Sequence, residues 1–259
     1  MREDYISVIT VCYNAGDTIA SCVESVASQT LDLEHIIVDG LSTDGTLDIL
    51  ERYRHLPNFR VFSEKDNGIY DAMNKGLGMA KGDIIGILNA DDEYASSDTL
   101  EHVTNAMTDP NVDACYGDLV YVDKDHPSEV KRYWRAGSYT TRSFYFGWMP
   151  PHPTFFVRKR VYEQYGMFNT SLGSAADYEL MLRFLLKHRI KAAYIPKVLT
   201  KMRSGGVSNA SIASRLKANH FDKMAWRVNG LTHLPGTTIA KPLRKIPQFF
   251  LGRSSRGTL

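Results

Sequence analysis

The fold is decided by the stretch Gly82-Asp83-Ile84-Ile85-Gly86-Ile87-Leu88-Asn89-Ala90-Asp91-Asp92-Glu93, where an apolar strand ends at two adjacent carboxylates. The small and apolar residues suit a strand that is buried on both faces. Two ionised carboxylates at such an end need water, a basic partner or a divalent cation, because desolvating each of them is costly. Mg²⁺ and Mn²⁺ are hard cations of the kind held by one or two carboxylates plus phosphate oxygens. The stretch therefore indicates a metal and diphosphate site, and a surface turn with Asp91 as a helix cap is the alternative.

Strands and helices alternate on the N-terminal side of this stretch. Apolar runs predict strands at Tyr5–Tyr13, His35–Val38, Phe59–Phe62 and Ile84–Leu88. Helical spacing predicts helices at Ile19–Ala27, Thr46–Tyr53, Ile69–Ala80 and from Leu100 to Met107. This order predicts an α/β fold with a mostly parallel sheet flanked by helices on both faces. Further along, Asp113–Asp123 predicts another strand, and Glu129–Arg135 is a candidate hairpin partner for it.

Polar side chains follow each of the four predicted strands. Ligands of parallel sheets bind at the carboxyl ends of the strands, so these side chains are expected at one edge. The chain has no GxGxxG after the first strand and no GxxxxGK[ST], so phosphate is expected to be held through a metal ion. The side chains at this edge are Thr10, Tyr13, Asn14, Asp39, Ser42, Asp44, Glu64, Lys65, Asp66, Asp91 and Asp92.

The composition is that of an ordinary globular protein, with 259 residues, 43% hydrophobic and 23% charged. The net charge of +2 gives no strong field that would favour nucleic acid. Cys12, Cys22 and Cys115 lack metal-ligand spacing and are typical of reduced, buried thiols in a cytosolic protein. Because Met1–Asp4 carries acids before a short apolar run, we expect no signal peptide. No apolar run reaches the roughly 18 residues of a membrane span.

Five segments, in this order, resemble family 2 glycosyltransferases: Ser7–Asn14, Ile36–Thr46, Glu64–Gly76, Leu88–Asp92 and Ala176–Arg183. The resemblance covers roughly residues 5 to 208. It implies a GT-A fold and the transfer of a sugar from a nucleotide diphosphate with inversion at the anomeric carbon.

The resemblance also implies roles for the donor side chains. Asp92 is expected to ligate Mn²⁺ or Mg²⁺, with Asp91 at the ribose or beside the metal ligands. Asn89 stands where the family often has the first acid of Asp-x-Asp, so this position adds no charge. The expected nucleotide contacts are Asp39 and Asp66 at the base, with Thr10, Tyr13 and Asn14 at its pocket. For Asp39, a turn-forming role before Gly40 is the alternative.

Inversion requires a base that takes the proton of the acceptor hydroxyl, and the resemblance places Asp177 in that role. Asp177 follows small residues and opens a predicted helix. A carboxylate is stabilised at a helix start, so a plain N-terminal helix charge is the alternative. Arg183, six residues later, is expected to be structural.

Two loops are more ambiguous. Phe144–Phe156 is rich in aromatic residues and proline, and it is interpreted either as a surface that stacks against a sugar or as a packed loop. His152, within it, is either structural or a phosphate or acceptor contact. Met202–Ser208 predicts a flexible loop, and the resemblance suggests that it closes over the diphosphate through Arg203.

The chain changes character after Ser208, which predicts a catalytic domain at 1–208 and a C-terminal extension at 209–259. Ile212–Val228 predicts an amphipathic helix. The segment Lys241–Arg253 mixes cations with apolar residues, which suits an interfacial membrane contact or docking onto the catalytic domain or a partner subunit.

The sequence as a whole predicts an inverting glycosyltransferase with a UDP- or GDP-sugar donor and a glycan or lipid-linked acceptor of cell-surface polysaccharide synthesis. We expect it in the cytoplasm, at the inner face of the membrane. A sugar-phosphate nucleotidyltransferase is one alternative, although residues 10–20 lack its glycine-rich phosphate loop. A non-catalytic nucleotide-sugar-binding protein is the other.

Overall fold

A computed structural model describes residues 5–204, 212–237, 244 and 248. The strands are β1 (Ile6–Cys12), β2 (Leu33–Asp39), β3 (Phe59–Ser63), β4 (Ile84–Asn89), β5 (Asp92–Tyr94), β6 (Ala114–Val122), β7 (Val130–Trp134), β8 (Phe156–Arg158) and β9 (Ala192–Arg203). The helices are α1 (Ile19–Ala27), α2 (Thr46–Glu51), α3 (Ile69–Met79), α4 (Thr99–Ala106), α5 (Lys159–Tyr165), α6 (Ala176–Met181) and α7 (Ile212–Val228). Short 3₁₀ turns lie at Thr141–Phe146, His152–Thr154 and Thr170–Ala175, and a π-helical turn at Leu182–Lys187 follows α6.

The strands of the described residues form one sheet in the order β3-β2-β1-β4-β8-β6-β9-β5, with β7 paired to β6. β3, β2, β1 and β4 are mutually parallel, as the alternating sequence pattern predicts. β6 and β9 are also parallel, whereas β8, β5 and β7 pair in antiparallel fashion. The predicted α/β class is confirmed, and the parallel half brings the ends of β1 to β4 to one edge.

β1 is buried along its whole length because helices cover both faces of the sheet. Ile9 and Val11 pack in the same hydrophobic cluster as Met73 of α3. A Cβ on Gly76 would lie 2.4 Å from the Ile9 side chain, so a glycine is needed for α3 to approach β1 this closely. Val8, on the opposite face, packs with residues of α1 and α4. Burial on both faces explains the continuous apolar character of this strand.

The C-terminal helix α7 packs against α6, and its bounds match the predicted helix. Trp226 is fully buried in the same hydrophobic cluster as β1, and its Nε1 donates to the Tyr178 hydroxyl at 3.0 Å. Asn229 Nδ2 donates to Glu179 Oε1 at 3.1 Å. Trp226 is not among the apolar residues on which the helix prediction rests. The first part of the predicted extension is thus joined to the catalytic fold, while a domain division after Ser208 stays a prediction.

The aromatic segment is mainly a packed loop, which favours the second of its two interpretations. Phe144 and Trp148 are buried, and the Tyr139 ring stacks on Trp148 at 4.6 Å. Phe146 is the exception, with 58% of its surface exposed. The three cysteines are free and buried, as predicted.

Most of the predicted membrane-contact segment Lys241–Arg253 lies outside the described residues. Arg244 is described and exposed, and Gln248 is the other described residue in the segment. Among the described residues, the helices are too short or too polar to cross a bilayer.

Candidate active site

The loops after β1 and β2 are joined by hydrogen bonds at the carboxyl edge of the sheet. The backbone N–H of Asn14 donates to Ser42 Oγ at 2.8 Å, and Asn14 Oδ1 accepts from Thr43 N at 2.9 Å. Gly16 N donates to Asp44 Oδ2 at 2.9 Å. Asn14 adopts a left-handed backbone with φ of 49°, which asparagine tolerates better than most residues. We call the loops that follow β1 to β4 the donor edge, and Asn14 links two of them.

Asp39 ends β2 and is fully buried. Its Oδ2 accepts from Ser42 N at 3.1 Å and from Ser63 Oγ at 2.7 Å, and its Oδ1 accepts from the Ser42 hydroxyl. These bonds support the turn-forming alternative. The contact of Asp39 with a base stays a prediction, and it would require the serine hydroxyls to release the carboxylate.

The side chains of Asp66 and Tyr13 both lie close to Gly40. A Cβ at Gly40 would lie 2.5 Å from Asp66 Oδ2 and 3.5 Å from the Tyr13 ring, so both side chains approach a position that only glycine fits. Asp66 Oδ1 accepts from Gly68 N at 2.8 Å. Tyr13 is 66% exposed. The structure therefore brings an open aromatic ring and a carboxylate together at the donor edge, a combination that can stack on a base and accept its ring N–H.

Thr10 is buried away from this opening, so the structure does not support its predicted place in the base pocket, and a nucleotide contact through Thr10 stays a prediction. Its side chain is fully buried, and its hydroxyl lies 3.0 Å from His35 Nε2. Thr10 lies two residues before the end of β1, so its side chain points into a layer between the sheet and the helices and does not extend past the end of the strand. Burial lowers the pKa of His35 to about 3, so the imidazole is neutral at pH 7.

Asp92 is as deeply buried as Asp39, with 0% exposure. Its Oδ2 accepts from Asn89 Nδ2 at 3.0 Å. Neither Asp92 Oδ1 nor Asn89 Oδ1 has a hydrogen-bond partner among the described residues, although both are buried. Burial raises the pKa of Asp92 well above its usual range, and the charge of Asp91 raises it further. Asp91 is half-buried, and burial raises its pKa as well.

These oxygens fit a hard divalent cation. Within the described residues, no three His, Cys, Asp or Glu side chains cluster as a closed metal site. A Mg²⁺ or Mn²⁺ held by one or two carboxylates plus the substrate's phosphates does not need such a cluster. A buried carboxylate oxygen without a partner, beside a second carboxylate, is the donor set that this mode requires.

Arg203 lies at the end of β9, where its guanidinium is paired with Glu93. It is the last residue of β9, not part of a flexible loop, and residues 205–208 lie outside the described part of the chain. Its Nη2 donates to Glu93 Oε1 at 2.8 Å and to Ser21 Oγ at 3.0 Å. A contact of Arg203 with the diphosphate stays a prediction; in this structure its guanidinium joins β9 to β5 and α1.

Asp177 lies in the first turn of α6 and is half-buried. Its Oδ1 accepts from Tyr178 N at 2.7 Å. Tyr70, in the first turn of α3, lies close enough to Asp177 for the charge of that carboxylate to act on its hydroxyl. Because α3 begins just after the end of β3, this proximity is consistent with Asp177 lying at the same edge of the sheet as Asp91. Burial, assisted by the charge of Asp177, raises the pKa of Tyr70 above its usual range.

His152 and Phe168 complete the surroundings of Asp177. The His152 and Tyr70 rings lie 5.8 Å and 5.4 Å from the Phe168 ring. Burial lowers the pKa of His152, and the charge of Asp177 opposes this shift. We call Tyr70, His152, Phe168 and Asp177 the Asp177 cluster.

The sequence analysis missed Tyr70 and Phe168. The sequence did contain a signal for this packing, because Tyr70 and Asn74 are four residues apart and therefore lie on the same face of α3. Asn74 Nδ2 donates to Phe168 O and its Oδ1 accepts from Phe168 N, both at 2.9 Å.

Arg183 is structural, as predicted. Its guanidinium donates to Glu179 Oε1 at 3.0 Å and to the backbone carbonyls of Gly166 and Met167 at 2.9 Å and 2.6 Å. These bonds fix α6 to the loop that leads into it, so they also fix the helix that carries Asp177.

Comparison with known proteins relates this chain to glycosyltransferases. The family model described as Glycosyl transferase family 2 matches residues 7–166. A "PGL/p-HBAD biosynthesis glycosyltransferase" of Mycobacterium bovis is 29% identical over 218 residues, which span 82% of this chain and 82% of the relative. S. aureus TarS 1-349 in complex with UDP-GlcNAc has a TM-score of 0.63 at 19% identity and is matched over 95% of this chain and 79% of its own. The mannosyltransferase PcManGT of Pyrobaculum calidifontis, in complex with GDP-Man and Mn²⁺, has a TM-score of 0.64 at 19% identity, over 98% of this chain and 76% of its own. The structural matches confirm the expected GT-A-like fold.

Proposed function

The chain belongs to glycosyl transferase family 2, and we propose that it is a metal-dependent, inverting enzyme that moves a sugar from a nucleoside diphosphate to a glycan or lipid-linked acceptor. One observation carries the proposal. Asp177, a half-buried carboxylate whose charge acts on Tyr70 at the start of α3, supports an acid on the side of the sheet where Asp91 and Asp92 follow β4. A donor-side acid pair and a separate acid at one edge suit a reaction with a leaving diphosphate and an attacking hydroxyl.

The donor is held along the donor edge. Tyr13 stacks on the base and Asp66 accepts a ring N–H, because both lie at the Gly40 opening. Asp92 and Asp91 hold Mn²⁺ or Mg²⁺, with Asp91 also near the ribose. When bound, the cation neutralises charge that develops on the leaving diphosphate. The complex of PcManGT with GDP-Man and Mn²⁺ supports this assignment by similarity.

Asp177 is the general base. Its carboxylate takes the proton from the acceptor hydroxyl, the hydroxyl oxygen forms a bond to the anomeric carbon, and the bond from that carbon to the diphosphate breaks with the electron pair leaving on the phosphate. Attack from the face opposite the leaving group inverts the configuration. General base catalysis of this kind is worth about 10²- to 10⁴-fold.

A panel of nucleotide sugars tests the proposal. The purified full chain is incubated with Mn²⁺ and with UDP- and GDP-sugars, including UDP-GlcNAc and GDP-mannose, and nucleoside diphosphate release is measured. Transfer or donor hydrolysis with one donor is the expected result. Release of pyrophosphate in a mixture of sugar phosphate and nucleoside triphosphate would indicate a nucleotidyltransferase instead. Donor binding without turnover on any acceptor would indicate a binding protein.

The acceptor side is assigned to the cytoplasmic face of the membrane. The basis is the composition of the C-terminal segment, where Lys241, Arg244, Lys245 and Arg253 surround Phe249–Leu251. Each cation near an anionic surface adds about 1 kcal/mol of binding, screened by salt. Cell-surface polysaccharide synthesis is the process that this location suits.

Deletion of residues 239–259 tests the assignment and keeps Thr237, which is buried. The full chain should sediment with vesicles that contain phosphatidylserine, whereas the shortened chain should not. Donor hydrolysis should persist in both. Absence of vesicle binding by the full chain, or a lower Tm after the deletion, would favour docking of this segment on protein.

A further inference from the structure

Asn89 and Asp92 are joined across the turn between β4 and β5. Asn89 is the last residue of β4 and Asp92 is the first of β5, so only Ala90 and Asp91 separate them. Asn89 Nδ2 donates to Asp92 Oδ2 at 3.0 Å. The opposite orientation of the amide would set its oxygen against the carboxylate, so the orientation with the N–H toward Asp92 is the stable one.

This hydrogen bond leaves one oxygen on each side chain unused. Asp92 Oδ1 and Asn89 Oδ1 are both buried, and neither has a hydrogen-bond partner among the residues that the structure describes. Two acceptors cannot hydrogen-bond each other, and a buried polar atom that lacks a partner is costly. Both oxygens therefore require either a donor or a cation.

The turn that carries the two side chains is fixed on both sides. Asn89 pairs with Val11 of β1, and Asp92 pairs with Met202 of β9. The Asn89 carbonyl also accepts from Cys22 Sγ at 3.4 Å. The amide and the carboxylate are thus attached to paired strands, which is the support that a preformed pair of ligands needs.

We infer that Asn89 is a positioning residue and a second ligand of the cation site: its amide N–H holds Asp92 Oδ2, and its own Oδ1 binds a divalent cation together with Asp92 Oδ1. The inference rests on the proposed function, in which Asp92 binds Mn²⁺ or Mg²⁺. An amide oxygen suits a hard cation but adds no negative charge. Because Arg203 pairs with Glu93, the negative charge for the cation comes from Asp91, Asp92 and the diphosphate. The site should therefore bind Mn²⁺ more tightly with nucleotide than without it.

The test is the binding of Mn²⁺ to Asn89→Ala, measured on the full chain by electron paramagnetic resonance with and without UDP or GDP. We expect the Mn²⁺ affinity in the presence of nucleotide to fall about 10- to 100-fold, the usual loss when a supporting group of a metal site is removed. Nucleotide affinity in EDTA should stay at the wild-type value. Asn105→Ala, at an exposed position of α4, is the matched control and should change neither affinity.

Asn89→Asp keeps the shape of the side chain and replaces the N–H donor with an acceptor. Two carboxylates then face each other, so the Tm in EDTA should fall below that of the wild type. Mn²⁺ should raise the Tm of this variant more than it raises the wild-type Tm, because the cation bridges the two acids. Equal Tm shifts with Mn²⁺ in the two proteins would contradict the place of Asn89 beside the cation.

Asp92→Asn, measured beside Asn89→Ala, separates the inference from the proposed function. If Mn²⁺ raises the nucleotide affinity of Asp92→Asn as it does in the wild type, the metal assignment itself fails. If Asp92→Asn loses this gain while Asn89→Ala keeps the wild-type Mn²⁺ affinity, only the role of Asn89 is refuted. Weaker nucleotide binding by Asn89→Ala in EDTA, with the gain from Mn²⁺ unchanged, would place Asn89 at the ribose and would also overturn the inference.

Discussion

The donor edge and the Asp177 cluster lie at the same end of the parallel strands but are built in different ways. At the donor edge, each side chain follows the end of its own strand, and neighbouring loops satisfy most of its polar atoms, as Asp39 and Asn14 illustrate. In the Asp177 cluster, the side chains come from distant segments and depend on helix packing. Local sequence thus prepares the donor edge, whereas tertiary packing prepares the cluster.

The contrast also separates two kinds of carboxylate. Asp92 is buried and has an oxygen without a hydrogen-bond partner among the described residues, so it has a free acceptor for the proposed cation. Asp177 is half-buried and its Oδ1 accepts a hydrogen bond from Tyr178 N, so part of the residue stays open to solvent. The first suits a ligand to a metal ion, and the second suits a base.

The largest expected effect comes from a substitution of Asp92 at the donor edge. Asp92→Asn keeps the size of the side chain but removes the charge, so the gain in UDP or GDP affinity that Mn²⁺ provides should disappear. Isothermal titration calorimetry with and without EDTA measures this gain. Asp98→Asn is the control, because Asp98 contacts Ser96 and His102 instead. Wild-type turnover in EDTA would contradict the metal assignment.

The next effect concerns the packing beneath the Asp177 cluster. Trp226→Ala should lower the free energy of unfolding by about 3–5 kcal/mol, since a fully buried aromatic ring is lost. Urea unfolding measures the change. Val228→Ala, where the side chain is 49% exposed, should stay within about 0.5 kcal/mol of the wild type. Equal stability of the Trp226 variant would mean that α7 does not support this side of the fold.

The buried His35 of β2 should make the free energy of unfolding depend on pH. The pKa of His35 is about 3 in the folded chain and about 6.5 when unfolded, so below pH 6.5 only the unfolded state gains the proton. Stability is therefore complete above pH 6.5 and falls as the pH drops toward 3, by about 2 kcal/mol at pH 5. In His35→Gln, the free energy of unfolding should therefore differ less between pH 7.5 and pH 5 than it does in the wild type. His55→Gln, at an exposed position, should keep it.

The smallest effect separates an open side chain from a buried neighbour at the donor edge. Tyr13→Ala should weaken UDP or GDP binding about tenfold, near the lower end of the stacking range of about 1–3 kcal/mol. Thr10→Val should change the same Kd less than about twofold, because its hydroxyl faces His35 and not the opening. Fluorescence or calorimetric titration checks both. A larger loss for Thr10→Val than for Tyr13→Ala would support the predicted nucleotide contact of Thr10.

The sequence predicts β1 to β4 and α1 to α3 well, because periodicity and turn residues are local signals. It also singles out Asp91, Asp92 and Asp177, whose roles stay predictions. It does not foresee that Thr10 is buried, since a strand-end rule does not tell which face a residue two positions before the end will occupy. It does not foresee the Glu93 ion pair of Arg203 either, because that pair depends on the pairing of β9 with β5.

Trp226 and Phe168 show the other limit. The Trp226 indole donates to the Tyr178 hydroxyl, and the Phe168 backbone is held by Asn74. The partners lie 48 and 94 residues apart along the chain. Such contacts follow from how helices pack, and no short sequence window contains both partners.

Measuring donor affinity and single-turnover transfer together on Asp177→Asn tests the central claim most directly. The variant keeps the size of the side chain and its hydrogen bonding but cannot accept a proton. The account predicts that transfer falls by about 10²- to 10⁴-fold while donor Kd changes less than about twofold. Loss of donor binding with transfer preserved in a single turnover would contradict it, because Asp177 would then belong to the donor edge.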